Sequence, residues 1–417
     1  MVTTGRKQRT LGAAVALVFL LSSLEMNAQD HEQMLDRSSS GTGVEPASTP
    51  APMLMSTRAG WMFMFHANAF VVSQQQSGPR GEDKVFSTNW FMPMAQRQLG
   101  PGTLTLRTML SLEPLTITDR RYPLLFQQGE TAFGKPIVDG QHPHNVVMEL
   151  AGLYDLPLGE KASIYFYAAP VGDPAIGPTA YAHRASASED PLAPLGHHQQ
   201  DSTHIASDVI TLGLSDSVAR LEFSGFHGRE PDEHRWELNS GKMDSWSTRL
   251  SALPSPNWSA QYSYASISSP EATSPREDQA RMTASISYNR ALARGNWANT
   301  LLWGRTRFTR SDAKFNSYLF ESTLRFRNQN YLWTRLESAT RSSELLLATE
   351  PERPIGRVQA YSLGYDRDLP STSHVSVALG TQLTAYTSPP LLREAYGDHP
   401  FGVVLFLRVR PVAPTMP

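Results

Sequence analysis

From Gly60 onwards the chain repeats one pattern about sixteen times: a run in which apolar and polar side chains alternate, closed by residues that favour a turn. In the first run Trp61, Phe63, Phe65, Ala67, Ala69 and Val71 share one parity, and Met62, Met64, His66 and Asn68 share the other. A period of two puts these sets on opposite faces of a strand. Later runs have faces of unequal polarity. Leu104, Leu106, Leu110 and Leu112 oppose Thr103, Thr105, Arg107 and Glu113; Met282, Ala284, Ile286 and Tyr288 oppose Arg281, Thr283, Ser285 and Asn289. Tyr318, Phe320, Leu324 and Phe326 oppose Glu321, Thr323, Arg325 and Arg327, and Phe401, Val403, Leu405, Leu407 and Val409 alternate with Gly402, Val404, Phe406, Arg408 and Arg410. Strands are predicted to begin near Gly60, Lys84, Gly102, Asn145, Lys161, Thr203, Ser217, Met243, Asn257, Asp278, Asn296, Phe315, Tyr331, Arg357, His374 and Phe401.

The connections alternate in length. Short turns such as Leu99-Gly100-Pro101-Gly102 and Ala293-Arg294-Gly295-Asn296 take turns with long segments at about 74–83, 116–144, 172–202, 228–242, 269–277, 309–314, 343–356 and 388–400. A closed sheet is the only β structure that leaves no unpaired backbone in lipid, and an even strand number with turns at one end and loops at the other is what it requires. The expected fold is therefore all-β: a transmembrane antiparallel β-barrel of about sixteen strands over residues 58–412, with short periplasmic turns and long extracellular loops. A water-soluble sandwich would also alternate. It would not need the short and long rhythm, nor aromatic residues such as Tyr165, Tyr167, Trp236, Trp246, Trp258, Trp297, Trp303, Tyr331 and Trp333, which suit girdles at the headgroups.

Composition fits this reading. Charged residues make up only 18% of the chain, and the net charge of −2 gives no reason to expect nucleic acid as a partner. The absence of cysteine suits passage through an oxidising compartment. Arg6, Lys7 and Arg9 precede an apolar run from Leu11 to Leu24, which reads as a signal peptide over residues 1–28, cleaved about after Ala28. The run is shorter than the roughly 20 apolar residues of a spanning helix. Residues 29–57, rich in Ser, Thr, Pro, Gly and Met and without periodicity, read as a flexible periplasmic arm.

Four segments carry a resemblance: Tyr122-Pro123-Leu124-Leu125-Phe126-Gln127-Gln128-Gly129-Glu130-Thr131; Asp139-Gly140-Gln141-His142-Pro143-His144-Asn145; His197-His198-Gln199-Gln200-Asp201-Ser202-Thr203-His204-Ile205; and Gly228-Arg229-Glu230-Pro231-Asp232-Glu233. With these motifs the chain resembles a family of functionally uncharacterised outer-membrane β-barrel proteins of Gram-negative bacteria, from the Met-rich arm to the last strand. The resemblance implies the barrel and the cell outer membrane. It implies no reaction.

Eight of the twelve histidines lie between His142 and His234, mostly on the long loops. His142, His144, His197, His198 and His204 could ligate Zn²⁺ or Cu²⁺, although no spacing among them matches a known metal motif. The alternative, favoured from the sequence, is a hydrogen-bonded loop plug at the barrel mouth centred on His142, His144 and His204, with Asp139, Glu149, Asp201 and Asp208 as partners, because unpaired buried imidazoles are costly. Met62, Met64 and His66 share one lumen-facing parity and form a soft-ligand candidate for Cu(I) or Ag(I), against the plainer role of methionine as adaptable filler. Met92 and Met94 share a face with Phe86 and Trp90, which reads as the lipid side.

The lumen face otherwise mixes signs: Arg107, Glu149, Arg220, Glu222, Arg281, Glu321, Arg325, Arg327, Arg335 and Glu337. Such mixtures form ion-pair ladders rather than a selective ring. Ser202, Asp201 and His204 are too close in sequence to reach relay geometry together, and no Gly-x-Ser-x-Gly or Gly-rich phosphate loop is present, so no enzymatic activity is expected. The sequence thus predicts a passive outer-membrane channel or small-solute transport protein. Its expected partners are outer-membrane lipid, small solutes or metal ions, and the barrel assembly machinery. The alternatives are a metal-handling surface protein and a barrel-embedded hydrolase.

Overall fold

The computed structural model describes residues 40–272, 274–348, 352–370 and 374–412, so the signal peptide expected over 1–28 lies outside the described residues. Seventeen strands form one antiparallel sheet, of which sixteen close into a barrel. The wall strands are β1 (Trp61–Gln76), β2 (Lys84–Leu99), β3 (Gly102–Leu110), β4 (Val147–Pro157), β5 (Ala162–Gly172), β6 (Ala206–Asp216), β7 (Ala219–His227) and β8 (Ser245–Ser255). They continue with β9 (Trp258–Ile267), β10 (Gln279–Leu292), β11 (Gly295–Phe308), β12 (Lys314–Phe326), β13 (Asn330–Ser342), β14 (Pro354–Asp368), β15 (Val375–Thr387) and β16 (Phe401–Pro411). Each strand pairs with its sequence neighbours, and β1 meets β16 in register Ala69↔Val409 to Gln76↔Gly402, so the wall has no open edge there. A further short strand, Leu54–Arg58, folds back on the first residues of β1, below the end of β16.

The outer face is inverted relative to a water-soluble protein. Leu212 and Leu214 on β6, Leu221 and Phe223 on β7, Leu379 and Leu383 on β15, and Leu405 and Leu407 on β16 are exposed, whereas their neighbours of the other parity, Thr211, Glu222, Gln382 and Arg408, are buried. Only lipid makes that arrangement favourable. Trp258 and Trp297 mark the apolar band at the short-turn end, Trp258 packing on Tyr288 at 4.5 Å. Tyr165, Tyr167, Tyr331 and Trp333 do not belong to a girdle; all four are buried inside the barrel. Parity explains it, because Trp333 shares its face with Arg335 and Glu337. Tyr165 and Trp333 lie directly across from Gly213 and Gly364, where a side chain would collide with the aromatic ring. Arg327 sits in the β12–β13 turn at φ 52°, outside the lumen face expected for it.

The lumen is filled from both ends. The long β5–β6 connection, residues 173–205, is buried almost throughout and crosses the barrel as a plug. Wall side chains saturate its backbone. Ser224 Oγ accepts from Ala175 N at 2.8 Å, Ser263 Oγ from Gly177 N at 2.9 Å, and Glu337 from Gly196 N at 3.3 Å. Thr323 Oγ1 donates to Ser186 O at 2.8 Å, Thr88 Oγ1 to Pro191 O at 3.0 Å, and Arg335 to Leu192 O at 2.8 Å. A buried backbone without these partners would be costly, so the polar inner wall is what allows an irregular loop to lie inside.

Residues 29–57 were expected as a free periplasmic arm, and their described part is not free. Glu149 accepts from Gly41 N at 3.1 Å, Arg220 donates to Thr42 O at 2.7 Å, Arg249 donates to Thr42 Oγ1 at 2.8 Å, and Asn289 donates to Ser48 O at 2.6 Å. This non-periodic stretch has no face of its own to bury; it is ordered by arginine and asparagine side chains of the wall.

Candidate functional site

The mouth-side surface of the plug carries the site. The β3–β4 connection, residues 111–146, begins with a one-turn helix α1 (Glu113–Thr116) that Pro114 starts. Its later residues fold over the plug, which there forms another single turn, α2 (His197–Gln200). Gly304 on β11 makes room for α2: a side chain there would meet the Gln199 carbonyl. The four motif segments meet here. Glu130 of the first reaches His142 of the second and the neighbourhood of His198 of the third, and Ser202 of the third donates to Glu230 of the fourth at 3.4 Å.

All five predicted histidines are buried and lie close together. Ring centroids are 5.4 Å apart for His144 and His204, 5.3 Å for His197 and His204, 5.5 Å for His197 and His198, and 6.4 Å for His142 and His198. They divide into two groups. In the first, Tyr181 stands among His144, His197 and His204, with Nδ1–H of His144 donating to Glu113 at 2.9 Å and Nδ1–H of His197 donating to Asp201 at 2.7 Å. His204 Nδ1–H donates to the Asp201 carbonyl at 2.7 Å. Tyr181 OH donates to His144 Nε2 at 3.4 Å. In the second group, His142 Nε2 lies 2.9 Å from Glu130 Oε1, Arg235 reaches the other Glu130 oxygen at 3.4 Å, and His198 stands alongside.

Electrostatics follow from burial. Desolvation pushes the His204 imidazole down to about 3, helped by His197 and His144 nearby, and it holds His198 well below its ordinary value. Burial also lowers His142, partly countered by Glu130. Burial opposes the charge on Glu130, yet His142 and Arg235 beside it hold its carboxyl below the usual carboxylate range. Burial and the Glu130 charge raise Glu230 to about 7, against the pull of Arg281.

Of the four acids expected to partner the histidines, only Asp201 does. Asp139 accepts from Phe126 N and from Tyr396 OH and pairs with Arg80. Glu149 binds Arg107 and Tyr167, deep in the wall. Asp208, at φ 53°, accepts from Ser240 and Gly241 on the neighbouring loop. Each is drawn away by a nearer donor. Glu113 and Glu130 are the partners that sequence reasoning missed, although Glu130 lies within the first motif.

Ser202, Asp201 and His204 do not form a relay. Ser202 Oγ accepts from Arg281 at 2.8 Å, and the Asp201 carboxylate is taken by His197, by Arg184 at 3.1 Å and by Tyr181 N at 3.0 Å.

The soft-ligand candidates lie on β1. Met64 is buried, with Met62 and Met53 packed beside it, and Met92, Met94, Met109 and Met148 join the same cluster around Trp90. Met92 and Met94 therefore face the lumen, not lipid. His66 packs edge-on to Trp90 at 4.7 Å, and the ring of the plug residue His183 lies 4.1 Å from Trp90. His183 Nε2–H donates to Met109 Sδ at 2.8 Å. Beside this cluster a cavity of about 130 Å³, lined by His66, Asn68, His183, Glu189 and Arg410 among others, opens towards the short-turn end.

No protein-family model and no curated protein sequence matches the chain. Its structure is similar to solved barrels. An anion-selective porin from Comamonas acidovorans matches with TM-score 0.53 and 9% identity, covering 84% of this chain and 99% of the porin. OmpF of Salmonella typhi, in a complex with daunomycin, matches with TM-score 0.50 and 10% identity, covering 85% and 100%. OprB of Pseudomonas putida matches with TM-score 0.50 and 10% identity, covering 84% and 94%. At such identities the likeness is one of fold.

Proposed function

We propose that this chain is an outer-membrane passive channel for small solutes, closed in the conformation described by its own plug. The observation that carries this reading is the polarity of the interface between plug and wall. Plug residues Leu192 and Leu195 also rest on apolar side chains of the wall, yet the plug backbone is held by polar groups. Here the wall offers Ser224, Ser263, Thr323, Glu337 and Arg335 to the plug backbone, groups that water satisfies equally well once the plug moves. A sixteen-strand barrel is wide enough for an aqueous path when nothing fills it. The apolar outer band, the expected signal peptide and the resemblance to Gram-negative barrel proteins support the outer membrane as its place.

Planar-bilayer recording tests this. Wild-type protein is expected to conduct rarely, and a variant with residues 174–204 replaced by a short Gly-Ser linker to conduct steadily. Heat-modifiable gel mobility checks that the variant is a folded barrel. Absence of current from both folded proteins overturns the channel reading.

A further inference from the structure

A neutral His142 cannot account by hydrogen bonding for its contact with Glu130. The Pro143 carbonyl lies 2.9 Å from His142 Nδ1 and can only accept, so the hydrogen of a neutral ring sits on Nδ1. Nε2 then presents a lone pair to Glu130 Oε1 at 2.9 Å. Two acceptors do not rest at that distance without positive charge between them. His198 adds a second anomaly: both its ring nitrogens are buried without a hydrogen-bond partner among the described residues. One ligand atom from each of Glu130, His142 and His198 lies within 4.8 Å of the others, and among the described residues no other trio of histidines and acids is so arranged.

The geometry points to a binding site for one divalent ion of the zinc class, held by Glu130, His142 Nε2 and His198, which ties the mouth segment 111–146 to the plug 173–205. Two imidazoles and a carboxylate suit Zn²⁺ or Cu²⁺ and suit Mg²⁺ and Ca²⁺ poorly, since those ions take oxygen. With bonds of about 2.0–2.1 Å, tetrahedral ligand atoms stand about 3.4 Å apart, so separations of up to 4.8 Å close by at most about 1.4 Å and the 2.9 Å contact of His142 with Glu130 opens by about half an ångström. The surroundings are those of a site held in place. The Pro143 carbonyl orients the His142 ring, as partners of metal-bound imidazoles commonly do. Arg235 occupies the second Glu130 oxygen, which leaves one for the ion. Gly129, at φ 107°, lies against the His198 ring, where a side chain would meet Nδ1 at 3.2 Å. The consequence is a latch, because the ligands come from the two segments that must part for the plug to leave.

Untagged full-length protein in detergent, stripped with chelator, is titrated with Zn²⁺ and separately with Mg²⁺. Bound metal after gel filtration, melting temperature and protease resistance of the plug are followed. The expected result is about one Zn²⁺ retained per chain, with a higher melting temperature and slower plug cleavage, and no response to Mg²⁺. His198→Ala and the near-isosteric Glu130→Gln lose the retained ion, whereas His234→Ala, at an exposed loop position, keeps it. Wild-type protein that retains no Zn²⁺, or variants that retain as much as wild type, overturn the proposal; a protonated His142 paired with Glu130 then accounts for the contact. The readouts need no current, so a protein that binds Zn²⁺ yet never conducts overturns only the channel reading.

Discussion

Part of the wall meets the plug with arginine and carboxylate, and another part, on β1 to β4, meets it with methionine. Arg184 of the plug pairs with Glu321 at 2.8 Å, Asp190 with Arg335 at 2.7 Å, and Glu189 with Arg408 and Arg410. On β1 to β4 the plug residues Ile205 and Ala182 pack with Met64, Met92, Met94, Met109 and Met148, and His183 makes one N–H to sulfur contact with Met109. The first side is directional. Each buried charge needs its partner, and removing one strands the other. The second side is adaptable, since unbranched thioethers follow a shifted neighbour at little cost. The plug is therefore positioned by its charged side and merely accommodated by its methionine side.

The largest expected effect is that of Glu321→Gln. Glu321 receives both Arg184 from the plug and Arg335 from β13, and neutralising it leaves buried guanidinium groups short of an anion, at a cost of roughly 3–5 kcal/mol. Proteolysis of residues 173–205 at graded urea should report the loss, with barrel mobility unchanged. A variant as resistant as wild type would show that the charged side does not position the plug.

Acidification should move the two sides in opposite directions. Burial raises Asp190 to about 6 and Asp173 and Glu45 to about 7, against the pull of Arg335, Arg249 and Arg184. Folded carboxyls with raised values bind protons more readily than unfolded ones, so their contribution is fully present below the ordinary carboxyl range of about 4 and is lost as pH rises through 6–7. His183 is the reverse. Burial holds it well below the ordinary value, so its contribution is present above about 6.5 and falls as pH drops below that. Hydrogen-exchange protection, corrected for intrinsic rates, should between pH 8 and pH 5 rise around Gly41–Glu45 and Asp190 and fall around His183. Parallel changes at all three would contradict the division.

The smallest effect belongs to Met109→Leu. A volume-conserving change in an adaptable cluster should cost less than about 1.5 kcal/mol, although it removes the sulfur that His183 contacts. Urea melts followed by plug proteolysis would measure it. A loss as large as that of Glu321→Gln would mean the methionine wall also fixes the plug in place.

The wall itself was legible because a period of two is a local property. Predicted strand starts such as Lys84, Gly102 and Phe401 coincide with the observed ones, and Asn145 and Thr203 miss by only two or three residues. The exceptions have a physical cause. On β2 both parities are apolar, Val85, Phe91 and Pro93 against Phe86, Trp90, Met92 and Met94, so polarity could not tell lumen from lipid. The aromatic residues placed at girdles were read by type, while parity with Arg335 and Glu337 would have turned Trp333 inward.

The site was legible only as a set of residues. The histidines stood out by their density on loops, but their partners are chosen by distance in space: Glu113 lies 31 positions from His144, and Glu321 lies 137 from Arg184. Sequence alone thus determined the strand count, the turn rhythm and the apolar outer face, since alternation and turn chemistry act over neighbouring residues. Tertiary structure alone decided that residues 40–49 and 173–205 enter the lumen, and that Glu130, His142 and His198 meet. Those outcomes depend on wall arginines, hydroxyls and carboxylates brought round by barrel closure to satisfy loop backbone that has no periodic pattern of its own.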